Sequence, residues 1–409
     1  MTDTGSVRVA LTGAQRRTFV VLLGLVSSLG AFTVDPLMPS FSTIQATLGA
    51  TADQMQLTIM AITIGYAVGL LLAGPASDQF GRRKPLLASL ALHATATIIL
   101  AISANYEVFL SMRFLQGLAS SAAGVLALAV VRDLYVGKSM LKFLAPMNAV
   151  MAIGPIGAPL MGAQLLAFTD WRHILWVLVG FALLLFVANF IFLNETLDPA
   201  HRRESEGARV AISRFAHVLN DRRYIGVAIV SIMVSVGLFG YLNQAPFLYT
   251  SAWHLTNAQF GFAYAGGSVF AMGGMQLGAR LGQRVGTARL LLITLIVGAA
   301  SGIACIWAGT SGQPIGVQLS MIYLWALCFG VSTPPTQTLL LASHGEEAGT
   351  AASLSGIMTN AVTAFAAPLY AAVSSTSTLG IGQVVLGAMA IALVGYIFIA
   401  QPSKLAAGV

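Results

Sequence analysis

The sequence predicts an all-α membrane protein with twelve transmembrane helices in two pseudo-symmetric six-helix bundles. Three observations predict it. The 409 residues are 57% hydrophobic and 9% charged, against about 25% charged in a soluble domain. The apolar runs reach spanning length, roughly 20 residues each. The two halves of the chain also echo each other.

The expected spans cover approximately 18–40, 54–74, 85–104, 108–131, 143–168, 172–194, 224–248, 257–278, 289–309, 317–341, 349–373 and 379–400. The stretch between the sixth and seventh, ETLDPAHRRESEGARVAISRFAHVLNDRR, is long and charged. The expected organisation is therefore a first bundle over 1–194, a linker over 195–223 and a second bundle over 224–409. The polar start MTDTGSVRVALTGAQRRTF is followed by a run long enough to span, so the first helix is expected to serve as its own anchor.

Charge sets the orientation. With the N-terminus inside, nineteen of the twenty-one Lys and Arg fall on the inner side, leaving only Arg113 and Arg172. That asymmetry is the positive-inside pattern, and it accounts for the net charge of +7 without a nucleic-acid surface. Both termini are then expected to be cytoplasmic. Cys305 and Cys328 lie in apolar runs and read as small buried side chains, with no disulfide or metal implied. No HExxH, CxxC, Walker or GxSxG pattern gives a handle for enzyme chemistry.

The echo lies in two loops. GPASDQFGRRKPLL (Gly74–Leu87) and GARLGQRVGTARLL (Gly278–Leu291) have equal length and keep Gly, Gln and Leu-Leu in register. Each follows the second span of its half, as expected of parallel repeats in a transporter. Gly282 stands opposite Asp78, so the second copy lacks the acid. Gly74 and Gly81 are expected to let the backbone turn tightly. Arg82, Arg83 and Lys84 suit an anionic leaflet.

Among the fourteen Asp and Glu, thirteen fall in tails, loops or helix ends, and Asp35 is the exception. It sits roughly 26 Å along the first span, in the outer half of a roughly 30 Å core. Arg113 lies at a similar level, roughly 8 Å into the fourth span. An ionisable residue inside the membrane is a functional candidate by default. Two readings of Asp35 stand. Asp-Pro is a helix start, so Asp35 caps a short outer piece beyond a break at Pro36. Alternatively, Asp35 carries a proton. The readings are compatible, because broken helices near the midplane line transporter cavities. Burial raises a carboxylate's proton affinity and a neighbouring Arg lowers it, so an Arg113 that approached only in some conformations would make Asp35 a switchable carrier.

Gly154, Ala158 and Gly162 share one helical face in the fifth span, with Pro155 and Pro159 favouring a bend. The expected partner is a similar small face in the eighth span: Ala263, Gly267 and Ala271. It reads either as a sliding seal or as ordinary tight packing. Pocket candidates inside spans are Tyr66, Gln116, Asn148, Asn189, Tyr241, Asn243, Gln244, Phe262, Tyr264, Trp325, Gln337 and Asn360. Each also reads as a helix–helix hydrogen bond or packing residue. His93, alone in the third span, reads as a satisfied packing histidine, with a proton role as the other reading.

Several motifs carry a family resemblance. GPASDQFGRRKP resembles the loop motif Gly-x-x-x-Asp-x-x-Gly-Arg-Arg/Lys of the major facilitator superfamily. RFLQGL (Arg113–Leu118) resembles its fourth-span motif, and GPIGAPLMG (Gly154–Gly162) the fifth-span motif of drug:proton antiporters. RDLY, WRHILW, APFLY and AGTAASLSG are similar to the bicyclomycin-resistance (Bcr/CflA) group. The family pattern at the first span reads Asp-Met-Tyr-Leu-Pro, from which Pro36 departs.

The resemblance implies a cytoplasmic latch involving Gly74, Asp78, Gly81, Arg82, Arg83, Arg132 and Asp133; the other reading is that these charges mark the water boundary. It implies proton-coupled export of small amphipathic drugs, phenicol- or bicyclomycin-like, by alternating access around a central cavity. No cofactor is expected beyond the proton gradient, and the partners are substrate, protons and lipid. The expected setting is a monomer in the inner membrane of a bacterium. A metabolite exporter of the same fold and a non-transporting receptor or channel are the competing classes.

Overall fold

The computed structural model describes residues 13–135, 137–151, 153–197, 215–342, 348–373 and 376–401. Helices dominate them. Most of the expected linker, 198–214, lies outside the described residues. The first part of the chain forms α1 (Gly13–Val34), a 3-10 segment (Asp35–Ser40), α2 (Phe41–Leu48), α3 (Ala52–Phe80), α4 (Arg83–Ile102) and α5 (Tyr106–Leu134). α6 (Gly137–Met151), α7 (Ile153–Leu166) and α8 (Trp171–Phe192) follow. The second part forms α9 (Arg222–Phe247), α10 (Asn257–Val285), α11 (Thr287–Thr310), α12 (Ile315–Leu341), α13 (Ala348–Phe365), α14 (Ala367–Ala372) and α15 (Thr378–Val394).

Helices are imposed by the solvent: inside lipid every backbone group must find its partner within the segment. Among the described residues ten segments are long and apolar enough to cross a membrane. The protein is thus a multi-pass membrane protein. The other two expected spans fall on α10, helical over 29 residues but diluted by Gly, Gln and Arg, and on α13 with α14.

Polar side chains mark where helices meet water. Asn105 accepts from the Glu107 and Val108 amides to cap α5, and Asp170 from Arg172 and His173 to cap α8. Thr256 and Gln259 form a reciprocal capping box on α10.

Contacts divide the chain into two compact units, residues 1–50 with 61–206, and residues 51–60 with 207–409. In the first, a core of Leu23, Val26, Leu86, Leu90, Ala127, Val130 and Phe143 joins α1, α4, α5 and α6. In the second, α10 packs along α12, and α11 along α12 and α15. Close approach there uses glycine: a Cβ at Gly330 would overlap the Ala271 carbonyl.

Gly74 does not form a turn. It is inside α3, which runs on through Pro75 to Phe80, and its carbonyl accepts from the Ser77 hydroxyl at 2.8 Å. The turn is made by Gly81 at φ +86°, a left-handed angle that favours glycine.

Candidate functional site

The first span is broken where Asp35 stands. Pro36 has no N–H to donate to the preceding turn, and α1 ends at Val34. The 3-10 segment begins at Asp35 itself, so Val34 occupies the cap position and makes no side-chain cap bond. Asp35 is in the first turn, where a carboxylate suits the positive helix end. It is half-buried.

A helix that stops in the membrane leaves carbonyls with partial negative charge at its last turn. Arg113 answers one of them. It is fully buried, and its Nη1 donates to the Thr33 carbonyl at 3.0 Å and to Gln116 Oε1 at 3.1 Å. Gln116 Nε2 donates to Thr97 Oγ1 at 2.8 Å, and that hydroxyl donates to the His93 carbonyl at 2.6 Å. His93 Nε2 lies 2.8 Å from Thr33 Oγ1, which itself donates to the Leu29 carbonyl at 2.5 Å. Because that hydroxyl has one proton, His93 Nε2 carries the hydrogen of the shared bond. The five residues close a ring joining α1, α4 and α5, and every member is 0% exposed. Arg113 Nε and Nη2 and His93 Nδ1 are buried without hydrogen-bond partners among the described residues. Both described hydrogen bonds of Arg113 go to neutral groups, one of them a carbonyl in the last turn of α1.

The fifth-span motif meets the same break. Gly154 faces Ala31 and Ser28 of α1, and a Cβ at Gly162 would overlap the Pro36 backbone. The expected partner in the eighth span is therefore corrected: this small face is filled by α1 and the 3-10 segment. The physical reason is the break, whose exposed backbone needs a neighbour without a side chain. Ala158 and Pro159 are buried with it and Pro155 is half-buried. Tyr66 packs its ring on Gly30 one turn before the break.

The loop charges form a clasp. Arg82 Nη1 donates to Asp78 Oδ1 and to Ser77 Oγ, both at 2.6 Å, and its Nε to Asp133 Oδ2 at 2.9 Å. Two hydrogen-bonded carboxylates hold the Arg82 guanidinium above its usual pKa despite the downward push of burial. Arg83 turns away, donating to the Phe190 carbonyl at 2.7 Å with its guanidinium 5.2 Å from the Phe190 ring centre. Arg132 is exposed and stands outside the clasp. Glu195 was hidden in the expected linker. Its carboxylate accepts the backbone amides of Arg82 (2.8 Å), Arg83 (3.3 Å), Thr196 (3.1 Å) and Leu197 (3.1 Å). It thus caps α4 from 112 residues away. Burial pushes its pKa up, but the four amides outweigh that and hold it below the usual carboxylate range.

The second unit offers rings and amides. Tyr241 stacks on Tyr264 at 6.0 Å, Tyr264 on Phe260 at 5.7 Å, and Phe260 meets Tyr249 edge-on at 5.5 Å. Gly267 makes room for the Tyr241 hydroxyl. Asn243 and Gln244 are buried beside Tyr241 in sequence; both Gln244 amide atoms and Asn243 Oδ1 lack hydrogen-bond partners among the described residues. Trp325 is buried against Gly237 and Gly298. Phe262, Asn148 and Gln337 are exposed, while Asn360 and Asn189 donate to carbonyls one turn back in their own helices.

Residues 20–368 match the Major Facilitator Superfamily. The chain belongs to that superfamily. It is a transporter that takes small-molecule substrates within the membrane, and its family and structural neighbours are transporters, not enzymes. An uncharacterised MFS-type transporter, YdgK of Bacillus subtilis (strain 168), is 30% identical over 91% of this chain and 93% of its own length. A bicyclomycin resistance protein homolog of Haemophilus influenzae is 27% identical over 86% and 88%. The crystal structure of a D-xylose-proton symporter matches 96% of this facilitator chain and 99% of its own, at a TM-score of 0.75 and 16% identity. At that identity the likeness shows the facilitator fold alone.

Proposed function

We propose that this transporter is a proton-coupled antiporter that exports small amphipathic drugs, phenicol- or bicyclomycin-like, by alternating access. In this reading Asp35 carries the proton, and the halves 1–194 and 224–409, joined by 195–223, alternate as monomer in a bacterial inner membrane with both termini cytoplasmic. The observation that carries it is the break at Asp35–Pro36. Arg113 holds the carbonyl two residues before the acid, and Gly162 cradles the backbone one residue after it. A segment gripped on both sides by packed helices shifts only when they do, so the acid's surroundings follow the transport cycle. The rings and unpartnered amides of Tyr241–Gln244 and Tyr264 suit a flat, polar-edged substrate, in keeping with the resistance name of the Haemophilus relative.

The test is transport into proteoliposomes under an imposed pH gradient, over a panel of antibiotics and metabolites. Antibiotics should accumulate with the wild type. Asp35→Asn should abolish gradient-driven accumulation while remaining folded. Full accumulation by that variant would sink the coupling role, and accumulation of metabolites alone would sink the drug assignment.

A further inference from the structure

Between α3, α4 and α5 the first unit carries an open slot of about 470 Å³. Its walls are stripes of helix-spaced residues: Gly69, Ala73, Ala76 and Phe80 on α3, Lys84, Ala88 and Leu92 on α4, and Leu118, Ala122 and Leu126 on α5. The α3 stripe runs about 16 Å at 1.5 Å per residue. The slot opens where small residues, Ala73, Ala76, Ala88 and Ala122, interrupt the larger ones along its walls. α3 and α5 touch backbone to backbone at Gly65 and Gly69, and past that crossing glycine and alanine leave the space that larger side chains would fill. An empty apolar slot forfeits dispersion contacts along its lining, so an apolar slot of this shape favours a hydrocarbon occupant.

One end of the slot is charged. Arg82 is committed to Asp78 and Asp133, and Arg83 to Phe190. Lys84 is exposed, lines the slot and has no hydrogen bond or ion pair among the described residues. A lysine at the rim of an apolar groove spreads its stem on the lining and offers its ammonium at the headgroup level.

We propose that this slot is a lipid site, taking one acyl chain of an anionic phospholipid with its phosphate at Lys84. Phe80 and Lys84 flank the loop that holds the Arg82 clasp, so an occupant packs against the helices on both sides of it. The proposal is independent of the proton-coupling reading, and its test involves no transport.

Delipidated protein in detergent is titrated with phosphatidylglycerol, phosphatidylcholine or inorganic phosphate, and bound lipid is read by native mass spectrometry. Phosphatidylglycerol should bind about fivefold tighter than phosphatidylcholine, the difference one lysine makes to an anionic headgroup; inorganic phosphate should not compete. Lys84→Gln should remove that preference and leave phosphatidylcholine binding unchanged. Ala88→Leu, at an exposed position with room for the side chain, should weaken both lipids by filling the slot. Equal affinity for the two lipids, a preference surviving Lys84→Gln, or full binding by Ala88→Leu would each overturn the assignment, as would displacement by phosphate alone.

Discussion

Arg113 and His93 are fully buried in the first unit, whereas the second, among the described residues, buries no Asp, Glu, Lys, Arg or His. The loops differ the same way. Arg82 of the first is clasped by Asp78 and Asp133, while the second, with Gly282 where the acid would be, turns at Gly286 with φ +90° and nothing within contact distance of a Cβ there. Even the turn glycine is offset: Gly81 aligns with Val285, and Gly286 with Arg82. The loop is repeated with its arginines, Arg280, Arg284 and Arg289, but without the acid. A buried charge is expensive in lipid and persists where function requires it, so coupling to protons should reside in the first unit and leave the neutral, aromatic interior of the second indifferent to pH.

Substitutions break this contrast in order of size. Arg113→Gln should reduce transport to background while changing stability by less than about 1 kcal/mol, because a neutral group replaces an incompletely paired buried charge. Transport and thermal unfolding measured on the same preparation check it; a large loss of stability would make Arg113 structural. Gly162→Ala should destabilise by about 3 kcal/mol, since its Cβ meets the Pro36 backbone and neither can withdraw. Gly387→Ala in the second unit, with open space around it, should be neutral or slightly stabilising in the same melt. Gly81→Ala should cost about 2 kcal/mol and Gly286→Ala about 1 kcal/mol, the shared part being the left-handed backbone and the excess the Glu195 carboxylate packed against Gly81. Equal losses would mean that the Glu195 carboxylate does not press on Gly81.

The smallest effect is a pH dependence. Glu195 has its folded pKa below the ordinary value of about 4.3. Its contribution is therefore fully present above that value and lost as pH falls through the lower folded pKa. The melting temperature should drop on acidification below about pH 4, and Glu195→Gln should flatten part of that slope.

The sequence made the spans legible because lipid demands long apolar runs, and it made Asp35 legible because an acid in such a run has no cheap explanation. Pro36 announced the break. Thr33, Thr97 and His93 were not legible as a set. Each is one small polar residue in an apolar run, and the Thr33–His93 bond joins positions 60 apart with no spacing signature. The glycine face of α7 announced close packing without naming its partner, since a small residue says only that something comes near. Gly74-Pro75 reads locally as a turn, but a span must keep its backbone bonded, and α3 continues through it. Glu195 looked like the first residue of a solvated linker; its four amide partners are fixed by tertiary structure.

Proton release tests the central claim most directly. Purified protein in weakly buffered detergent is mixed with a transported drug while a pH indicator is followed. The account predicts release by the wild type, none by Asp35→Asn, and release retained by Gln244→Ala at saturating drug. Undiminished release by Asp35→Asn, or its loss at saturating drug only in the Gln244 variant, would contradict it.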